Sequence, residues 1–258
     1  MNSSAALSAH ALRQLAVQGT RGMQWGHLAT GYPAFDQRLK GGLPCAALHE
    51  IFSAKSEDIA SSSAFALMLA LRLRDENRPM LWIAEEKVRL LSGRLYPPGL
   101  VALGGNPDAM VLIETSNARD SLRATADAIR SAAAAAVILS VYGKAPAIDL
   151  TATRRLMLAA AHAGVLALLL RFDAEPSPSA AFSRWQIASA PSQPLAASAP
   201  GRTVFDVALT RHRGGVAPFS MRLEWNHETR AFRESPLSGG LSALASGGAA
   251  GAPARQSA

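Results

Sequence analysis

The chain has 258 residues, a formal net charge of +7 and one cysteine, Cys45. With 49% apolar and 17% charged residues it is expected to fold, and a lone thiol excludes an internal disulfide or a cysteine-held metal, so a reducing cytoplasm is the expected home. Residues 1–11 lack the basic start and apolar run of a secretory signal, and the most apolar stretch, 156–170, is shorter than the roughly 20 residues that cross a bilayer.

The first predicted element is a short amphipathic helix over 5–17, with Leu7, Leu12, Leu15 and Val17 near one face. The body then alternates. Strand-like apolar runs at 48–52, 80–84, 110–114, 136–141 and 165–170 are separated by helical stretches at about 58–74, 87–95, 118–132 and 149–163. Asp58 and Asp149 are predicted to cap two of these helices, and Gly164 to end the last one. Near-continuous apolar strands alternating with helices indicate a parallel sheet covered on both faces.

After Leu170 the pattern changes. Pro/Ser/Ala-rich loops at 173–183 and 193–201 flank strands predicted at 185–188, 203–211 and 219–225, the last two joined by Arg213-Gly214-Gly215 as a hairpin. From about Ser235 the Gly/Ala/Ser/Pro composition predicts a disordered tail. The expected organisation is a helix and linker at 1–23, one α/β domain at 24–234, and a tail at 235–258.

Residues 28–70 carry the informative segment. Thr30-Gly31, Phe35-Asp36, Gly41-Gly42-Leu43-Pro44 and Glu50-Ile51 stand in the order and spacing found at the opening of RecA-family ATPases, which the segment resembles. A phosphate-binding loop should follow Phe52. Such a loop needs glycines so that backbone N–H groups wrap the phosphates, a Lys for the outer phosphates and a Ser/Thr for magnesium. This chain has Ser53, Ala54, Lys55, Ser56, Glu57, Asp58, Ile59 and Ala60. There is no glycine, the Lys and Ser/Thr positions fall on Ile59 and Ala60, and two carboxylates sit at the helix start, where they oppose an anion.

Two further positions bear on catalysis. Leu139 or Ser140 stands where the family's magnesium-binding Asp would be, whereas Glu86, or Glu85 with the register slipped by one, matches the family's catalytic Glu. A carboxylate with no lysine, metal ligand or phosphate cradle has nothing to activate, so its expected role is a cap or a surface ion pair. The six His residues show no metal-ligand spacing, and no nucleophile signature appears. No catalytic residue, cofactor or metal is therefore expected.

The altered loop, Asp149-Leu150-Thr151-Ala152-Thr153-Arg154-Arg155-Leu156 and Ser183-Arg184-Trp185-Gln186-Ile187-Ala188-Ser189-Ala190-Pro191-Ser192 together resemble the ImuA family. These are RecA-like accessory proteins of bacterial mutagenic repair, and the resemblance runs from about residue 24 to 232. It implies a RecA-like three-layer α/β fold, with a mostly parallel sheet extended by C-terminal antiparallel strands. It also implies a non-enzymatic role in damage-induced translesion DNA synthesis with an ImuB-type adaptor and a specialised replicative-type polymerase subunit. RecA is a further candidate partner, DNA is reached through the assembly, and no membrane is involved. The alternatives are a residual nucleotide-binding ATPase with a shifted loop and a SulA-like cell-division inhibitor.

The two stretches that correspond to RecA's DNA loops carry little positive charge. One, 142–148, holds only Lys144; the other, 173–183, opens with Asp173 and Glu175, so phosphate contacts in the RecA manner are not expected. The cations elsewhere are scattered and nearly all Arg, which reads as surface solvation before nucleic-acid binding. Candidates for a partner surface are Arg154 and Arg155, unusual cations at a helix start, with Arg184, Trp185, Arg211, Arg213 and Trp225. For the two Trp residues, the strand pattern favours the core over a partner surface.

Overall fold

The computed structural model describes residues 26–73, 75, 77–194 and 201–236. The expected helix over 5–17, part of the 193–201 loop and all but the first two residues of the expected tail lie outside the described residues.

In chain order the elements are β1 (His27–Leu28), α1 (Pro33–Arg38), β2 (Leu43–Pro44), β3 (Leu48–Ser53), α2 (Ile59–Leu71), β4 (Met80–Glu85), α3 (Glu86–Ser92), α4 (Pro97–Ala102) and β5 (Met110–Thr115). There follow α5 (Ala118–Arg130), β6 (Ala136–Tyr142), α6 (Leu150–Ala163), β7 (Leu166–Phe172), β8 (Ser183–Ser189), β9 (Val204–His212), β10 (Phe219–Asn226) and β11 (Ala231–Glu234). Nine strands form one sheet in the order β11-β10-β9-β8-β3-β7-β6-β4-β5. The run from β8 to β5 is parallel, and β9, β10 and β11 add antiparallel to it.

Period-two alternation sorts each central strand between two cores. Ala136 and Ile138 of β6 join α2 on one face, where Phe65 to Leu71 are all buried. Val137, Leu139 and Val141 join α5 and α6 on the other. Both faces of β6 and β7 are therefore dry, which is why these strands read as unbroken apolar runs. The result is the expected RecA-like three-layer α/β fold, with three antiparallel strands at its C-terminal end.

The opening motif has a structural explanation. Thr30 is buried, and its backbone N–H and hydroxyl donate to Asp36 Oδ1 at 2.8 and 2.7 Å, fastening the entry strand to α1. Gly31 has φ +93°, and a Cβ there would stand 2.5 Å from Ala231. At Gly42, with φ +110°, it would stand 2.3 Å from the carbonyl oxygen of Leu28. Close backbone approach demands glycine at both positions.

A buried chain of hydrogen bonds joins this entry to the sheet. Trp185 Nε1 donates to Ser183 Oγ at 2.7 Å, Ser183 Oγ lies 2.6 Å from His49 Nδ1, and His49 Nε2 lies 3.0 Å from the Pro44 carbonyl. That carbonyl can only accept. Nε2 therefore carries the proton, and Nδ1 accepts from the Ser183 hydroxyl.

The helix predicted over 87–95 is shorter, ending at Ser92 before Gly93 at φ 79°. Five short elements went unpredicted: β1, α1, β2, α4 and β11. β11 has only four residues, too few to show a period, and tertiary packing holds it: Phe232 sits 4.9 Å from Trp225 and 5.4 Å from Phe65, ring centre to ring centre. The β9–β10 hairpin forms as expected.

Candidate functional site

At the end of β3 the chain passes through Ala54 and Lys55 into one turn of 3-10 helix, Ser56–Asp58, and then into α2. The Ala54 N–H donates to the Ile187 carbonyl at 2.8 Å, and the Asp58 N–H to that of Lys55 at 3.0 Å. Asp58 is 3% exposed. Its carboxylate makes no capping bond to α2, contrary to the sequence expectation. Instead Oδ1 accepts from both the N–H and the hydroxyl of Ser189, each at 2.8 Å. The reason is positional, because β8 runs beside β3 and brings Ser189 across the start of the helix. Lys55 and Glu57 stay in solvent, 3.9 Å apart. Asp149, by contrast, caps α6 as expected through the Ala152 N–H, and left-handed Gly164 closes that helix.

Glu86 opens α3, and its exposed carboxylate lies 3.6 Å from Arg89, a surface ion pair of the expected kind. Glu85 accepts from the Tyr142 N–H at 3.3 Å, tying the ends of β4 and β6. Ser140 is buried, accepts from Trp82 Nε1 at 3.1 Å and donates to the Ile83 carbonyl at 3.4 Å. Among the described residues no group of three or more His, Cys, Asp or Glu side chains could hold a metal ion. No described helix is long and apolar enough to cross a membrane.

Charge gathers under the loop at 173–182. Glu50, 1% exposed, accepts from Arg184 Nε at 2.9 Å and Nη2 at 2.8 Å. Arg184 Nη2 also donates to the Ser177 carbonyl at 2.5 Å. Arg211 donates to the carbonyls of Ser179 and Ala181 at 2.8 and 3.0 Å, and Arg213 to that of Ala180 at 3.0 Å. Three arginines thus hold the loop down by its backbone.

No family model matches the chain. Over 203 residues it is 33% identical to Protein ImuA from each of two strains of Caulobacter vibrioides, a match covering 73% of this chain and 79% of the relative. The chain belongs to the ImuA family.

In this ImuA-family chain the residues singled out for a partner surface fall into three settings. Trp185 and Trp225 are 1% and 2% exposed and lie in the core, Trp185 5.8 Å from Phe35 and Trp225 donating to the Leu103 carbonyl at 3.2 Å. Neither indole can meet a partner; alternation turns both inward. Arg184, Arg211 and Arg213 bond inside the fold, as above. Arg154 and Arg155 are exposed on α6 and make no ion pair among the described residues. Exposed Leu150 and Leu158 flank Arg154 at helical spacing.

Sequence reasoning missed two features. One is the Glu50–Arg171–Arg184–Arg211 cluster. Its signal was present, since Glu50 and Arg171 are charges inside otherwise apolar strands. The other is a cavity of about 390 Å³ between β4, β5 and α3, lined by Trp82, Val88, Leu95 and Leu112. It lies beside the sheet's edge strand β5, where Val111 and Leu112 are exposed. Nothing periodic in the sequence marks that edge.

Proposed function

We propose that this ImuA-family chain is a non-catalytic RecA-like accessory protein of damage-induced translesion DNA synthesis. It serves as a scaffold for an ImuB-type adaptor and a specialised replicative-type polymerase, and reaches DNA through that assembly. The observation that carries the reading is the setting of Asp58. Phosphate binding at a helix start needs free N–H groups and no competing anion. Here a buried carboxylate occupies the turn before α2, glycine is absent from 53–60, and the Ala54 N–H is already bonded to β8. The scaffold reading also accounts for a fold kept intact around that loop.

The partner-facing surface we assign to the outer side of α6, where Arg154 and Arg155 stand in solvent between Leu150 and Leu158. Co-expression with the ImuB-type protein and capture through a tag on one partner tests the reading. Co-elution is expected, and its absence with both proteins folded would sink the scaffold. Residual nucleotide binding is the second reading, favoured by Lys55 at the mouth of a cavity of about 520 Å³. Saturable Mg-ATP binding that vanishes in Lys55→Ala would establish it instead.

A further inference from the structure

A row of charge crosses four strands beneath the loop at 173–182. Arg171 on β7 pairs across from Phe52, Glu50 on β3 across from Arg184, and Arg184 on β8 across from Arg211. Three guanidinium groups share one buried carboxylate, and that carboxylate is already bonded to Arg184. Arg171 is 4% exposed, and its Nε and Nη1 have no hydrogen-bond partner; Arg211 Nε is likewise buried and unpartnered. Burial lowers the pKa of both arginines; the Glu50 carboxylate opposes the shift and the nearby Arg184 adds to it. Buried cations with spare donors are costly unless an anion meets them.

A cavity of about 520 Å³ opens at this row, lined in part by Phe52, Lys55, Arg184, Gln186, Thr210 and Arg211. Arg171 and Arg184 both stack on the Phe52 ring, at 5.8 and 5.4 Å from its centre. Two exposed carboxylates, Asp173 and Glu175, also line the cavity.

We propose that this cavity is a receptor for an acidic peptide segment of a protein partner, one carboxylate of which is seated by Arg184 and Arg211 with the charge of Arg171 behind them. The proposal rests on the scaffold reading and gives the scaffold a second contact, apart from α6. A carboxylate fits better than a phosphate for two reasons. Arg184 spends Nε and Nη2 on Glu50 and Ser177, which leaves its Nη1 as the donor for one carboxylate oxygen, whereas a phosphate would find no glycine-rich backbone cradle at 53–60. Asp173 and Glu175 also repel a doubly charged phosphate more than a single carboxylate.

The test uses the full chain and a fluorescein-labelled deca-glutamate peptide, followed by fluorescence anisotropy. Saturable binding is expected, weakened tenfold or more by Thr210→Glu, which places a negative charge in the lining without removing any arginine. Leu90→Glu makes the same charge change on exposed α3 and is expected to leave affinity within twofold. Lack of saturable binding would overturn the proposal. So would equal weakening by Leu90→Glu, which would mean net charge alone, or displacement of the peptide by equimolar pyrophosphate, which would mean a phosphate site. Failure here with adaptor capture intact removes only the receptor. Lost capture with peptide binding intact removes the scaffold reading.

Discussion

Asp58 Oδ1 accepts two hydrogen bonds from one residue, Ser189, whose N–H and hydroxyl each stand 2.8 Å away. The pair joins the first turn before α2 to the last residue of β8, so the loop that elsewhere would face phosphate is closed onto the sheet. Charge-assisted bonds to a buried carboxylate contribute about 1.5–3 kcal/mol each. Asp58→Ala is therefore expected to lower unfolding free energy by about 3 kcal/mol or more in urea titration. It should not create Mg-ATP binding, since the glycines and the Lys and Ser/Thr positions remain absent.

The Glu50–Arg184 pair is more consequential. Removing one member of a buried pair strands the other charge, at about 3–5 kcal/mol. Arg184→Met should lose that much stability by chemical denaturation. The double variant Glu50→Gln with Arg184→Met should lose clearly less than the sum of the two single changes. Additive losses would show that the two side chains are not coupled.

His49 makes stability depend on pH. Burial, with a smaller contribution from nearby His212, lowers its pKa from 6.5 to about 4 against the opposing hydrogen bond to Pro44. The folded value lies below the unfolded one, so the unfolded chain takes up the proton first as pH falls. The His49 contribution is fully present above about pH 6.5, is lost progressively between 6.5 and 4, and levels off below. The full loss is about 3 kcal/mol. Comparing the native chain with His49→Gln at several pH values isolates it: the difference in unfolding free energy should shrink as pH falls across that window.

The two tryptophans and the two α6 arginines should separate cleanly. Trp185→Ala removes a fully buried indole and is expected to cost about 3–5 kcal/mol. The double change Arg154→Glu and Arg155→Glu alters only exposed side chains, so thermal unfolding should move little, by about 0.5 kcal/mol or less. Capture of the adaptor should fall sharply for the arginine variant. Full capture would move the contact away from α6.

The amino-acid sequence by itself determined the order of the core elements, because periodicity, caps and turn glycines act within a few residues. The apolar runs of β3, β6 and β7, the Asp149 cap and the Gly164 stop were legible for that reason. So was the family membership, carried by ordered motifs along the chain. Only the tertiary structure decided which polar side chains pair over long separations. Asp58 finds its partner 131 residues away, and Glu50 finds Arg184 at a separation of 134. No local pattern encodes such pairings. Strand order brings β8 beside β3, and that adjacency turned a predicted helix cap into a clasp and Arg184, proposed from sequence for the surface, into the lining of a charged cavity.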